Sequence, residues 1–147
     1  MVKAGDPNDP DVDALWNSET SDNGWFACPD NGVIDPQGRL WVSTDSSTKS
    51  EKIGTNDGLW AMETTGALRG TSKMFFRVPI GAEMCGPEFS DDGESLFLAV
   101  QHPGDREELN GGIRLNSATT LWPDFISGSP PRPSVVVVQK KNGGKIA

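Results

Sequence analysis

Arg39 to Asp45 alternates strictly: Leu40, Val42 and Thr44 fall on one face, and Trp41 and Ser43 on the other. That is the two-residue period of a strand. Asp35-Pro36-Gln37-Gly38 precedes it as a tight turn, with Pro presetting φ at the second position and Gly relieving the corner. Gly58 to Thr64 alternates again, with Leu59, Ala61 and Glu63 opposed to Trp60 and Met62. Lys73-Met-Phe-Phe-Arg-Val-Pro79 reads as a further strand that stops at proline. Four short antiparallel strands are therefore predicted, at about 32–35, 39–44, 58–64 and 72–78.

The layout returns once. An oxygen-bearing loop (Gly81-Ala82-Glu83) leads to strands near 86–90 and 95–101, joined by an Asp-Gly turn, and the turn glycines Gly38 and Gly93 stand 55 positions apart. Ser134-Val-Val-Val-Val-Gln139 is a continuous β-branched run and predicts a buried third strand, and Lys145 begins a fourth. Between them, His102 to Pro133 carries Pro-Gly, Asn-Gly-Gly and Ser-Pro-Pro-Arg-Pro signals, with one helical turn expected around Arg106 to Leu109. A period near 50 residues built from short strands points to a propeller. The expected fold is all-β: two adjacent four-stranded antiparallel blades of a β-propeller, the first about 28–80 and the second, incomplete, about 81–147. Two blades cannot close a ring. Residues 1–147 are thus expected to be a C-terminal part of a larger propeller, whose open blade edges invite oligomerisation or strand exchange.

Charge and composition narrow the function. A formal net charge of −8 argues against a nucleic-acid partner, which needs clustered Lys and Arg, and suits hard cations. No apolar run approaches the roughly 20 residues of a membrane helix, and Met1-Val-Lys-Ala-Gly-Asp carries no targeting signal. Asp6, Asn8, Asp9, Asp11 and Asp13 crowd together, but the glycine and glutamate of a calcium loop are absent, so a solvated acidic loop is expected. Trp16 and Trp25 are expected to pin this segment to a core. No Gly-rich phosphate loop, dinucleotide fingerprint, zinc-protease motif or Gly-x-Ser-x-Gly elbow occurs.

Five residues stand out as candidates. Asp30 and Asn31 precede an inner strand, and Glu83 sits in a Gly-flanked loop between Ala82 and Met84, a poor place for a merely solvating glutamate. Glu88 follows Pro87 inside a strand, and His102 is the single histidine. Asp45 and Asp124 are weaker candidates. Cys28 and Cys85 read as buried thiols, and no catalytic role falls to either.

Five stretches together resemble the PhoX alkaline phosphatase family: Asp-Pro-Gln-Gly-Arg-Leu-Trp-Val-Ser-Thr-Asp (35–45), Gly-Ala-Glu-Met-Cys-Gly-Pro-Glu-Phe-Ser (81–90), Leu-Phe-Leu-Ala-Val-Gln-His-Pro-Gly (96–104), Trp-Pro-Asp-Phe (122–125) and Pro-Pro-Arg-Pro-Ser-Val-Val-Val (130–137). The resemblance implies a six-bladed propeller, exported to the periplasm or secreted, that hydrolyses phosphate monoesters with iron and calcium. It places Pro29-Asp30-Asn31 and Gly81-Ala82-Glu83 at the channel mouth, where the outer strand of one blade crosses to the inner strand of the next. Asp30, Asn31 and Glu83 are the implied metal ligands, with Glu88 and His102 behind them. The family's bridging cysteine, export signal and further ligands would lie in the N-terminal part, so this chain alone is expected to be inactive. Two other functions fit similar residues: a calcium-dependent lactonase or esterase propeller, and a non-catalytic binding platform.

Overall fold

The computed structural model describes residues 2–46, 53–105 and 120–147. The helical turn expected at 106–109 lies outside the described residues, as do residues 47–52.

Among the described residues, seven strands form two antiparallel sheets. The first holds β1 (Pro29–Ile34), β2 (Leu40–Thr44), β3 (Gly58–Met62) and β4 (Ser72–Arg77), in that order. The second holds β5 (Glu83–Phe89), β6 (Ser95–Gln101) and β7 (Ser134–Gln139). The fold is all-β, two antiparallel sheets of four and three strands among the described residues, consistent with neighbouring partial blades, as the alternation and the repeat required. Among the described residues no helix is long and apolar enough to cross a membrane.

The sheets stack face to face. Trp41 and Leu59 from the first meet Met84, Leu96, Leu98 and Val100 from the second, all buried, with Val33, Phe76, Phe89, Val136 and Val138 packed around them. Trp41 wedges between the two sheets: its ring meets Phe75 edge-on at 4.9 Å and Phe89 of β5 at 5.2 Å. Its indole N–H donates to Asp35 Oδ2 at 2.8 Å. The buried Asp35 carboxylate also accepts from Gln37 N, Arg39 N and Arg39 Nε, closing the β1–β2 turn. Burial alone would raise the Asp35 pKa, but the bonds from Trp41 and Arg39 outweigh it and hold the carboxyl below its ordinary value.

The opposite face of the first sheet is covered by residues 2–27. Val42 and Trp60 meet Phe26 there, with Trp16 and Leu40 alongside. Trp16 stacks edge-on against Phe26 at 4.9 Å, and the Trp60 indole donates to Asn23 O at 3.3 Å. Both tryptophans are half-buried; Trp16 packs on this core as expected, whereas Trp25 is not among the residues packed on it. The acidic run stays largely exposed, with Asp6 and Asp9 closing local turns on the backbone at Asn8 and Asp11.

The two sheets repeat each other in register. Asp35 N donates to Arg39 O and Ser90 N to Ser95 O, so the second turn is one residue longer. Pro29 pairs with Thr44 and Met84 with Val100; β1 bulges directly after that pair, and β5 one pair later, after Cys85 and Ala99. Asp30 therefore corresponds to Cys85, 55 positions on, and Trp41 to Phe97, 56 on.

Four expectations need correction. The inner strands start at Pro29 and Glu83, so Asp30, Asn31 and Glu83 belong to strands and not to loops. The bulges at Pro29/Gly32 and Cys85/Glu88 break the alternation that would have revealed this. The valine run is half open: Val136 and Val138 face the first sheet, while Val135 and Val137 are 69% and 48% exposed. Residues 145–147 form no strand. Ile146 N donates to Gly93 O and its side chain packs on the core, which draws the tail to the β5–β6 turn and away from β7. Finally, Cys28 is exposed and Cys85 half-buried.

Replacing Asp35 by Asn leaves the shape but removes the charge that four donors converge on. Asp35→Asn is expected to lower the unfolding free energy by roughly 2–3 kcal/mol in urea titrations at neutral pH. Because the folded pKa is depressed, this contribution is complete above the unfolded value near 3.8 and is lost as pH falls through the lower folded value. The variant should therefore show a shallower loss of stability on acidification below that value.

Candidate metal centre

β1 and β5, the inner strands, lie against each other where the two sheets meet. The tie between them is a side chain: Asn31 Oδ1 accepts from Gly86 N at 3.0 Å. Gly86 has φ +51°, within the bulge that turns its N–H toward β1. Beside this tie, one carboxylate oxygen each from Asp30 and Glu83 and the Cys85 sulfur lie within 4.8 Å of one another. Asp30 is exposed, Cys85 half-buried and Glu83 only 8% exposed.

Glu83 is held from three sides. Gln101 Nε2 donates to Oε2 at 2.6 Å, His102 Nε2 lies 3.2 Å from the same oxygen, and the Cys85 thiol donates to Oε1 at 2.7 Å. Gln101 faces Glu83 because the two are register partners across β5 and β6. His102 follows β6 with φ +35°, and its Nδ1 lies 3.1 Å from Gly81 O and 3.3 Å from Asp105 Oδ2. Gly81 has φ +74°, and a Cβ there would stand 2.2 Å from Asp105 O, so only glycine fits beside that backbone.

The electrostatics follow the crowding. Burial lowers the His102 pKa, but the Gly81 carbonyl and the Glu83 and Asp105 carboxylates outweigh it and raise it above the usual value. Burial, then the hydrogen bond to Glu83 and the charges of Glu83, Asp30 and Asp45, push the Cys85 thiol up to about 12. Asp45, exposed at the end of β2, is raised first by local desolvation and then by Glu83, Asp57 and Asp30. Three carboxylates, Asp30, Asp45 and Glu83, thus crowd one seam beside His102.

Of the residues singled out from sequence, Asp30 and Glu83 come together. Asn31 sits between them as the tie, and His102 supports Glu83. Glu88 is exposed five residues further along β5, paired with Phe97, and is not in the cluster. Asp124 is engaged elsewhere, in a two-pronged pair with Arg132. Sequence reasoning missed Gln101 and set Cys85 aside. Only the register of β5 on β6 reveals the first, and only the seam reveals the second.

No curated protein matches the chain. A solved structure of Pseudomonas fluorescens PhoX in complex with vanadate, a transition state analogue, superposes with a TM-score of 0.74 at 28% identity. The alignment covers 99% of this chain and 23% of that one, so the chain spans about a quarter of the relative's length. The family model described as alkaline phosphatase PhoX matches residues 1–104. The chain belongs to the PhoX alkaline phosphatase family.

Proposed function

We propose that this chain contributes part of the metal centre of an exported phosphomonoesterase, with Asp30 and Glu83 holding a hard cation at the seam between the inner strands. The observation that carries this reading is the convergence of Asp30, Glu83 and Cys85 donor atoms within 4.8 Å. Family membership supports it, and so does the vanadate that the Pseudomonas fluorescens relative binds as a transition state analogue. The donor set fits calcium or iron: two carboxylates suit either ion, and Asp30 engages no hydrogen-bond donor among the described residues. Asn31, whose carbonyl oxygen already accepts from Gly86 N, is proposed to complete the oxygen set from the same atom. When bound, such cations neutralise phosphate oxygens and activate a water-derived nucleophile for in-line displacement.

The chain's own residues do the positioning. Gln101 and His102 hold Glu83 Oε2, leaving Oε1 on the side of Cys85. The Asn31–Gly86 bond fixes β1 against β5, so Asp30 cannot drift from Glu83. His102, bonded to Gly81 and flanked by Asp105, is a positioning residue. The substrate class is phosphate monoesters, and the compartment is the periplasm or the exterior. The remaining ligands come from the rest of the ring.

Terbium, a luminescent stand-in for calcium, reads the site directly. Glu83→Gln and Asp30→Asn are each expected to weaken terbium binding by the chain at least about tenfold, or about 1.4 kcal/mol, while Glu88→Gln leaves it unchanged. Titrations that superimpose for Glu83→Gln and the unaltered chain contradict the assignment. The chain by itself is expected to hydrolyse p-nitrophenyl phosphate no faster than buffer, because ligands that do not converge supply no oriented attack. Release of p-nitrophenol followed with and without added calcium and iron tests that.

A further inference from the structure

We infer that the cleft lined by Trp16 and Trp25, in the segment that covers the first sheet, binds a neutral sugar. The five tryptophans are not used alike. Trp16, Trp41, Trp60 and Trp122 each donate the indole N–H to a protein acceptor: Gly5 O, Asp35 Oδ2, Asn23 O and Ser134 Oγ. Trp25 has no such acceptor among the described residues and packs on neither core cluster. Half-buried, it instead lines a cleft of about 350 Å³ together with Trp16, Ser18, Thr20 and Asp22. That volume lies at the small end of the roughly 300–1,000 Å³ usual for ligand sites. Thr20 Oγ1 is, among the described residues, the one buried side-chain oxygen or nitrogen without a hydrogen-bond partner. The exposed Ser18 hydroxyl and Asp22 carboxylate engage no other group among those residues either. Unspent hydrogen-bonding groups and an unclaimed indole thus share one concavity.

The walls are fixed by their own bonds. Asn17 Nδ2 donates to Ala67 O at 3.2 Å and to Arg69 O at 3.0 Å, mooring the Trp16 side to the β3–β4 loop. Next to Trp25, Gly24 lies so close to β4 that a Cβ would stand 2.4 Å from Ser72 O, and Ser72 Oγ donates to Gly24 O. A cleft set in advance loses little conformational freedom when a ligand enters. Its chemistry selects that ligand. No lysine or arginine lines it and Asp22 does, which disfavours phosphate and other anions. A quaternary ammonium would suit Asp22 and the indole faces, but it makes no hydrogen bonds and would leave the Trp25 N–H and the two hydroxyls unmet. A sugar ring matches both kinds of group: its C–H face lies on an indole, and its hydroxyls pair with the Trp25 N–H, Ser18 and Asp22. Rotation about Cα–Cβ would turn the sealed Thr20 hydroxyl to the same ring. None of these residues belongs to the candidate metal centre, so the sugar site stands apart from that reading.

Nuclear magnetic resonance of the isotope-labelled chain tests this through its indole N–H signals, with cellobiose, maltose and chitobiose titrated in the presence of EDTA. At least one of these disaccharides is expected to shift the Trp25 signal saturably while those of Trp41 and Trp122 stay in place. Trp25→Ala is expected to weaken that sugar at least about tenfold and Ser18→Ala about threefold. Circular dichroism should be unchanged in both variants, because neither residue belongs to a core cluster. If Trp25→Ala disturbs the fold, Ser18→Ala, at an exposed position, still decides the matter. Silence of the Trp25 signal towards all three sugars would overturn the inference. So would affinities that neither substitution alters, or choline or inorganic phosphate binding there more tightly than any of the sugars.

Discussion

The indole of Trp41 fixes the spacing of the two sheets, and the candidate metal centre depends on that spacing. Its ring fills the gap between β2 and Phe89 of β5, while its N–H is anchored on the buried Asp35 carboxylate. Aromatic edge contacts and a charge-assisted hydrogen bond act together here, so the ring can neither slide nor tilt without losing one of them. With that distance set, β1 and β5 run side by side, and Asn31 reaches Gly86. The geometry of the candidate centre therefore depends on packing elsewhere between the sheets.

The mouth itself runs against stability. Burial first, and the neighbouring carboxylates after it, raise the pKa of both Asp45 and Cys85. Two non-glycine residues beside the cluster, Cys28 and His102, have φ of +49° and +35°. Such conformations cost about 1–3 kcal/mol each and persist only where surrounding contacts over-determine them. Those contacts are present: the Cys28 carbonyl accepts from Asp45 N, and His102 is bound to Gly81 and Glu83. A cation between Asp30 and Glu83 would relieve the repulsion that the fold otherwise carries.

Much of this was legible in the sequence, for reasons that also explain the failures. β2, β3 and β6 are strongly patterned because each is covered on one or both faces, and Asp35-Pro36-Gln37-Gly38 and Asp92-Gly93 have the chemistry their turns need. The starts of β1 and β5 were hidden because a bulge inserts an extra residue and so breaks the period of two. β7 misled in the opposite direction. Four valines in a row satisfy a buried strand and a half-covered one equally well, and only the position of the neighbouring sheet distinguishes them. Gln101 carried no signal at all, since its role exists only through its register with Glu83.

The repeat also explains why the donors are divided as they are. Cys28, immediately before β1, and Asp30, on β1, stand 55 positions ahead of Glu83 and Cys85 on β5, so the start of each inner strand carries one thiol and one carboxylate, in opposite order. Were the cluster a property of a blade, the two positions of one strand would form it. Instead, Asp30 of the first blade meets both Glu83 and Cys85 of the second, while Cys28 stays exposed outside the group. The cluster belongs to the seam. One blade presents either one carboxylate or a carboxylate already bonded to its own thiol, and neither alone surrounds an ion. Two neighbouring blades, locked by Trp41 and tied by Asn31, are the smallest unit that brings two carboxylates face to face. In a ring built by repeating that contact, each seam can hold a different donor set while the packing beneath it stays the same.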